Sequence, residues 1–330
     1  KAAANEMLSR LYARLGDWAV ASDEDLRESL ALLEGRSPGD YEQEDFREAR
    51  RLFARALETP GGLRIETIHA FCARILRRFP LEAGVSPGFK AIEEDEANAL
   101  WRSVLALHLE DAAAQKPQAM SVLADATGGL GIAAALDALK YQRQALNAFS
   151  SSLRSNSELS GRIRTASGAG KQSPLEIVQN AMSEALPEMA LNQAREALSG
   201  LEKPGKGDLK LLQALTTVAE SEDPQHRYKL YMDAIAGSKW DFPSGSNPYT
   251  AKAGPIVADL FSRNLKTDTP EGREITRMKA VQAALKSAAL AERSIALMEI
   301  GLPMVEAYAH EKRQRGALDF DDLIGYTRAL

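Results

Sequence analysis

What most limits the folds open to this chain is its residue usage. Ala, Leu, Glu, Arg and Lys dominate, and β-branched residues seldom cluster. Ala and the straight-chain residues lose little freedom in a helix, whereas strands favour clustered Val, Ile and Thr. The chain therefore predicts a mainly α protein. Helices are expected over residues 2–15, 23–34, 42–57, 67–79, 94–115, 117–125, 130–149, 174–199, 207–220, 223–236, 254–264, 271–299, 303–315 and 319–330. Two segments read as extended: residues 63–67, after the Pro60-Gly61-Gly62 break, and residues 89–93, after Pro87-Gly88. The Ser-, Gly- and Asn-rich residues 150–173, and residues 237–249, read as mobile, turn-rich loops.

With 330 residues, 45% of them hydrophobic, the chain can bury enough core for two or three domains. No stretch approaches the roughly 18 consecutive apolar residues of a membrane span, and no signal-peptide pattern opens the sequence. The lone cysteine, Cys72, excludes an intrachain disulfide and a cysteine zinc cluster, which fits a reducing cytoplasm. A net charge of -5 argues against general coating of nucleic acid, so any DNA contact must be local. The opening Lys-Ala-Ala-Ala and the closing Arg328-Ala-Leu read as cuts in a longer protein.

Three segments carry chemistry. On the helix expected at 67–79, Ile68, Phe71, Cys72, Ile75, Leu76 and Phe79 recur at the spacing of one buried face, and His69, Ala73 and Arg77 lie opposite, flanked by Arg74 and Arg78. A helix N-terminus offers unpaired N–H groups to a phosphate, and Thr67 and His69 add donors. The same residues also read as an ordinary N-cap, an edge histidine and a solvated basic face. The second segment, Lys1 to Arg10, reads as a helix whose small residues permit close packing. In the third, Leu318-Asp319-Phe320-Asp321-Asp322-Leu323-Ile324, Asp319 is placed to cap a helix and Asp322 to complement its dipole. A two-metal site is disfavoured there, because no His, Glu or Lys partners stand nearby.

Two further stretches need weighing. Gly168-Ala-Gly170-Lys171-Gln172-Ser173 imitates a phosphate-binding loop. It lacks Gly at Thr165 and a hydroxyl residue at Gln172, and it reads as a flexible loop. From Arg227 to Arg293, eleven basic residues outnumber seven acidic ones and alternate with Tyr228, Tyr231, Trp240, Phe242, Tyr249 and Phe261. Such a surface can track and stack on nucleic acid. Most of these aromatics read as core, with Lys239, Trp240 and Lys252 as the best exceptions.

The strings Lys1 to Arg10, Glu66 to Val85 and Tyr308 to Ile324 resemble UvrD-like superfamily 1 DNA helicases, in particular the AddA subunits of bacterial double-strand-break repair helicase-nucleases. Thr67-Ile68-His69 resembles the family's Thr-Phe-His motif, whose Thr and His touch single-stranded DNA; Ile68 departs from it. The run from Arg78 to Phe89 follows the form found in proteobacterial AddA proteins. Lys1 to Arg10 resembles motif Ia, which assigns backbone contacts to Lys1 and Asn5 and packing or ion pairing to Glu6 and Arg10. The Leu-Asp-Phe-Asp-Asp-Leu string stands, in this family, shortly before the Mg²⁺-binding Walker B strand.

The resemblance implies residues 1–65 as part of a first RecA-like (P-loop) motor domain and 66–330 as a helical 1B-type subdomain inserted in it, with a few short strands. It implies DNA contacts at Lys1, Asn5, Thr67 and His69, to which the basic helix face and the basic, aromatic stretch read above add Arg74, Arg77, Lys239 and Trp240. This piece is expected to hold no cofactor and no ATPase site; ATP and Mg²⁺ belong to the parent protein. The parent is expected to translocate on single-stranded DNA, unwind broken duplex ends and act with a nuclease and an AddB-type partner in cytoplasmic repair and recombination. The other reading is a helical interaction module that docks that partner, favoured by the acidic charge and the Ala-rich middle.

Overall fold

The computed structural model describes residues 2–60, 62–129, 131–183, 188–237, 239–242, 247–263 and 271–330. Among the described residues helices dominate, joined by one pair of very short strands, so the protein is mainly α. It divides into two compact units, residues 1–100 with 309–330, and residues 101–308.

In the first unit, α1 (Ala2–Val20), α2 (Asp23–Glu34) and α3 (Gln43–Glu58) share a core of Leu15, Trp18, Leu26, Leu30 and Phe46. Local chemistry sets the bounds of α2. Ser22 Oγ accepts from the Asp25 amide at 3.2 Å, three acidic residues occupy the first turn, and Gly35 closes the helix with φ 70°. Such left-handed closure suits Gly, which has no Cβ to clash. Arg50 ties α3 to the start of α2 through the Ala21 carbonyl at 2.8 Å and Asp23 at 2.7 Å.

Residues 63–67 form no strand; no neighbouring strand offers a ladder there among the described residues, and Leu63 packs against the α1–α3 core. Helix α4 (Ile68–Arg78) follows, then β1 (Lys90–Ala91), inside the second segment expected to be extended. Helix α5 (Glu94–Gln115) carries the chain into the second unit.

That unit begins with α6 (Pro117–Thr127), α7 (Gly131–Ala138) and α8 (Arg143–Ser152); a 3₁₀ turn at Leu139–Gln142 divides what the sequence reads as one helix. Helix α9 (Asn156–Ala166) corrects the reading of 150–173 as loop throughout. Ser155 Oγ accepts from the Glu158 amide at 3.3 Å, Glu158 accepts from the Arg154 amide at 2.9 Å, and Leu159 is buried. Capping and one apolar anchor outweigh the polar composition. Helices α10 (Pro174–Ser183), α11 (Glu188–Ser199), α12 (Lys206–Glu220), α13 (Pro224–Ile235) and α14 (Gly254–Phe261) enclose the largest core, which includes Leu211, Leu215, Tyr231, Met232 and Phe261.

Helix α15 (Arg273–Gln314) runs 42 residues without a break through Pro303, where the sequence predicts one. Proline has no N–H for the carbonyl four residues earlier, that of Glu299. The Lys116 ammonium donates to this carbonyl instead, so a side chain replaces the missing helix bond. Lys116→Met should therefore cost about 1 kcal/mol, the lower end of the penalty for an unsatisfied acceptor, because the site is only partly buried. Adding Pro303→Ala, which restores an N–H, should recover most of the loss. Urea denaturation of the two single variants and the double variant checks this; an equal Lys116→Met loss in both backgrounds rejects the explanation.

After α15 the chain forms β2 (Ala317–Leu318), parallel to β1 with Lys90 opposite Ala317, and α16 (Phe320–Ala329).

Candidate nucleic-acid interface

Helix α4 begins where Thr67 leaves extended backbone, at φ -70° and ψ 156°, and its Oγ1 accepts from the Ala70 amide at 3.3 Å. The Phe71 amide donates to the Thr67 carbonyl. The amides of Ile68 and His69 have no acceptor among the described residues, and no acidic residue occupies the first turn. Two orphan donors and the positive end of the helix dipole thus face outward beside the exposed Thr67.

The face that α4 buries differs from the helical-wheel expectation. Cys72, Ala73 and Leu76 are buried in a cluster with Val85, Phe89 and Leu323. Ile68 is 72% exposed, Phe71 44% and Phe79 40%. Small Cys72 and Ala73 allow α16 to pack closely, which turns the bulky residues outward.

His69 is held from below. Its ring stacks on Phe320 with centroids 4.1 Å apart and planes 12° from parallel, and its ring nitrogens have no hydrogen-bond partner among the described residues. Phe320 is fixed by the start of α16. There Asp319 Oδ1 accepts from the Asp322 amide at 3.0 Å, and Asp322 Oδ2 accepts from the Asp319 amide at 3.1 Å. The buried Lys312 ammonium donates to both carboxylates, to Asp319 at 2.8 Å. Burial holds the Asp322 carboxyl above its ordinary value of 3.8, against the attraction of Lys312. The Leu318 to Ile324 string is therefore structural: it starts a helix, pairs a strand and supports His69. Among the described residues, no group of three or more His, Cys, Asp or Glu could hold a metal ion.

The arginines divide by partner. Arg74 binds Glu66 twice, at 2.7 and 3.1 Å, and lies over the Phe71 ring, so its charge is largely neutralised within the chain. Arg77 is exposed, lies 5.3 Å over the Phe89 ring and has no carboxylate partner among the described residues; Arg78, over Phe79, is likewise open. Arg64, just before the helix, is exposed and unpaired among them too. Sequence reading missed Arg64, whose only signal was its place three residues before Thr67, and it missed Phe320 as the support of His69.

The remaining candidates scatter. Lys1 lies outside the described residues. Asn5 is exposed on α1, whose core is separate from that of α4, and Arg10 pairs with Glu6 at 2.8 Å. Lys239 and Trp240 belong to the second unit. Lys239 is exposed; Trp240 is half-buried, donates from Nε1 to Asp233 at 2.8 Å and meets Tyr228 edge-on. Tyr228, Tyr231, Phe242 and Phe261 are core, as the sequence reading favoured.

The loop at 168–173 does not fit a nucleotide phosphate. It follows helix α9 rather than a strand, and the Ser173 amide and hydroxyl both bind Glu176 as the cap of α10.

The protein-family model of the UvrD/REP helicase N-terminal domain matches residues 1–330. An ATP-dependent helicase/nuclease subunit from Moorella thermoacetica is 34% identical over 109 residues, 32% of this chain, a stretch that spans 7% of the relative's length.

Proposed function

Because the chain belongs to the UvrD/REP helicase N-terminal domain family, we propose that it is the DNA-contacting portion of an ATP-dependent helicase-nuclease acting in double-strand-break repair. The reading is supported chiefly by the open N-terminus of α4, with its unpaired amides, Thr67 and a histidine braced on Phe320; Arg77, exposed and uncompensated in the last turn of the same helix, adds charge further along it. Such a constellation accepts phosphate oxygens through backbone N–H, hydroxyl and imidazole donors, while the guanidinium supplies charge. Arg64 and Arg78 extend the positive surface, and Arg74 acts through Glu66 to shape it. Lys1 and Asn5 add contacts along the strand.

The division between a motor-derived part and an inserted part, expected from the sequence at 65/66, is redrawn in this proposal to follow the two compact units. We place the boundary at 100/101 and 308/309, which assigns Thr67 and His69 to the motor-derived part and residues 101–308 to a 1B-type helical insert. ATP and Mg²⁺ are then held by residues of the parent protein other than those described, and the protein works in the cytoplasm with an AddB-type partner.

Titration of the chain with fluorescent single-stranded and duplex DNA at several salt concentrations tests this reading. Binding should weaken steeply with salt. His69→Ala with Arg77→Ala should lower single-strand affinity about tenfold or more and make the salt dependence shallower by about one counterion. A folded chain that binds no DNA at low salt would defeat the proposal and leave docking of the AddB-type partner as the better reading.

A further inference from the structure

The second unit contains more than one packed part. Its largest core draws only on residues 178–285, which belong to α10 to α14 and the first turns of α15. A different set packs where the unit begins and ends. Trp101 meets Tyr308 edge-on with ring centroids 5.1 Å apart, the Arg143 guanidinium lies 5.8 Å over the Tyr308 ring, and Leu136 and Leu139 stand against Gly301. These contacts join α5, α7, α8 and α15 from Gly301 onward into a stem. Between the stem and the outer helices the chain crosses twice, at 153–155, the extended link from α8 to α9, and through α15. An extended link transmits no bending stiffness, so the covalent stiffness between the two parts comes from α15.

The turn of α15 that joins them is weak. Pro303 supplies no N–H to the Glu299 carbonyl, and Gly301 in the same turn is a poor helix former. Two groups from outside the helix hold this turn. Lys116, just past the end of α5, donates to the Glu299 carbonyl, and Ser150 Oγ on α8 donates to Glu306 at 2.7 Å. Close-packed surroundings would lock even a weak turn. Here a cavity of about 320 Å³ towards α9 and another of about 260 Å³ against α5 both have Lys116 and Pro303 in their walls, which leaves room for the turn to bend.

Long helices kink sharply at proline, and hinges are a few residues that absorb a backbone change while packed parts on either side stay rigid. We propose that residues 299–303 are a hinge in α15, latched straight by Lys116, and that release of the latch lets α10 to α14 tilt as one body on the stem. The device belongs to the second unit alone and does not rest on DNA binding at α4.

Double electron–electron resonance tests it on the 330-residue chain. Spin labels at Ala106→Cys on α5 and Ala219→Cys on α12, both exposed positions, measure the distance between stem and outer helices, with Cys72→Ala removing the remaining thiol. The latched protein should give one narrow distance. Lys116→Met should add a second and raise the tilted population about fivefold, the change that one net hydrogen bond of about 1 kcal/mol makes in an equilibrium. Adding Pro303→Ala, which returns the helix bond, should restore the single distance. Hydrogen exchange on the chain without labels gives an independent reading: amides at 300–305 should exchange faster in Lys116→Met, and those of α12 and α13 should not change. One unaltered narrow distance in folded Lys116→Met overturns the hinge, since α15 is then a rod without its latch. A second distance that persists after Pro303→Ala, or exchange accelerated through the whole core, overturns it as well, because the looseness then lies outside this turn.

Discussion

Replacing Lys312 by Ala is expected to destabilise the protein by about 3–5 kcal/mol at neutral pH, the cost of removing one partner from a buried ion pair. Lys312 and Asp319 have side chains 6% and 4% exposed, and Asp322 is 18% exposed, so water screens none of the three well. Without the ammonium, two carboxylates face one another across the first turn of α16, each still accepting the other's backbone amide. Repulsion between them is relieved only by protonating one.

Asp322 is the one to yield, because burial already lifts its carboxyl above 3.8. A carboxyl whose folded pKa lies above its unfolded value contributes stability that is complete below the unfolded pKa and is lost as pH rises through the folded one. The loss in Lys312→Ala should thus be small near pH 4 and grow towards pH 7. Asp322→Asn, which removes a buried charge and keeps an oxygen for the Asp319 amide, should restore much of the stability of the Lys312 variant. Urea midpoints at the two pH values decide the matter: a loss independent of pH would mean that packing of the lysine stem, not its charge, supports α16. If His69 contacts DNA as proposed, the change should also weaken that contact, since α16 carries the Phe320 ring beneath His69.

How far the sequence could foretell this follows from the range of each interaction. Helix α2 was legible to the residue, because Ser22 at one end and Gly35 at the other act on their immediate neighbours. The Asp319–Asp322 cap was legible for the same reason. Helix α9 carried a signal of the same kind, Ser155 followed three residues later by Glu158, but the surrounding Ser, Gly and Asn obscured it. Pro303 read as a stop because its remedy, Lys116, lies 187 residues away.

The site shows the same division. Thr67, His69 and Arg77 could be picked out as a helix start with donors and charge. Which face of α4 is buried could not, since apolar spacing on the wheel fits Ile68 and Phe71 as well as Cys72 and Leu76. Only the close approach of α16, from the far end of the chain, decides between them. Arg74 looked like an equal of Arg77 until folding brought Glu66 within 2.7 Å of it.

In the second unit the largest single-site effect is expected at Gly272, the residue before α15. Its amide donates to the Ser262 carbonyl at 2.8 Å and its carbonyl accepts from Thr276 at 3.0 Å, so its position is fixed from both sides. A Cβ there would lie 2.4 Å from the Leu260 carbonyl oxygen and 2.7 Å from the Phe261 nitrogen, both backbone atoms at the end of α14. No rotamer change relieves that contact; α14 or α15 must shift, and Phe261 is fully buried in the main core. Overpacking of this kind costs about 3 kcal/mol, which for a unit of this size lowers Tm by about 6–12 °C. Gly301 provides the contrast. An added Cβ there falls 2.2 Å from Leu139, a shorter distance, yet the atom it meets is the tip of a side chain that can turn away. Alanine also gains about 1 kcal/mol over glycine inside a helix, which offsets the readjustment. Gly272→Ala should therefore unfold well below Gly301→Ala in thermal melts, despite the closer contact at 301. The reverse order would show that the α14–α15 junction yields more readily than the Leu139 side chain.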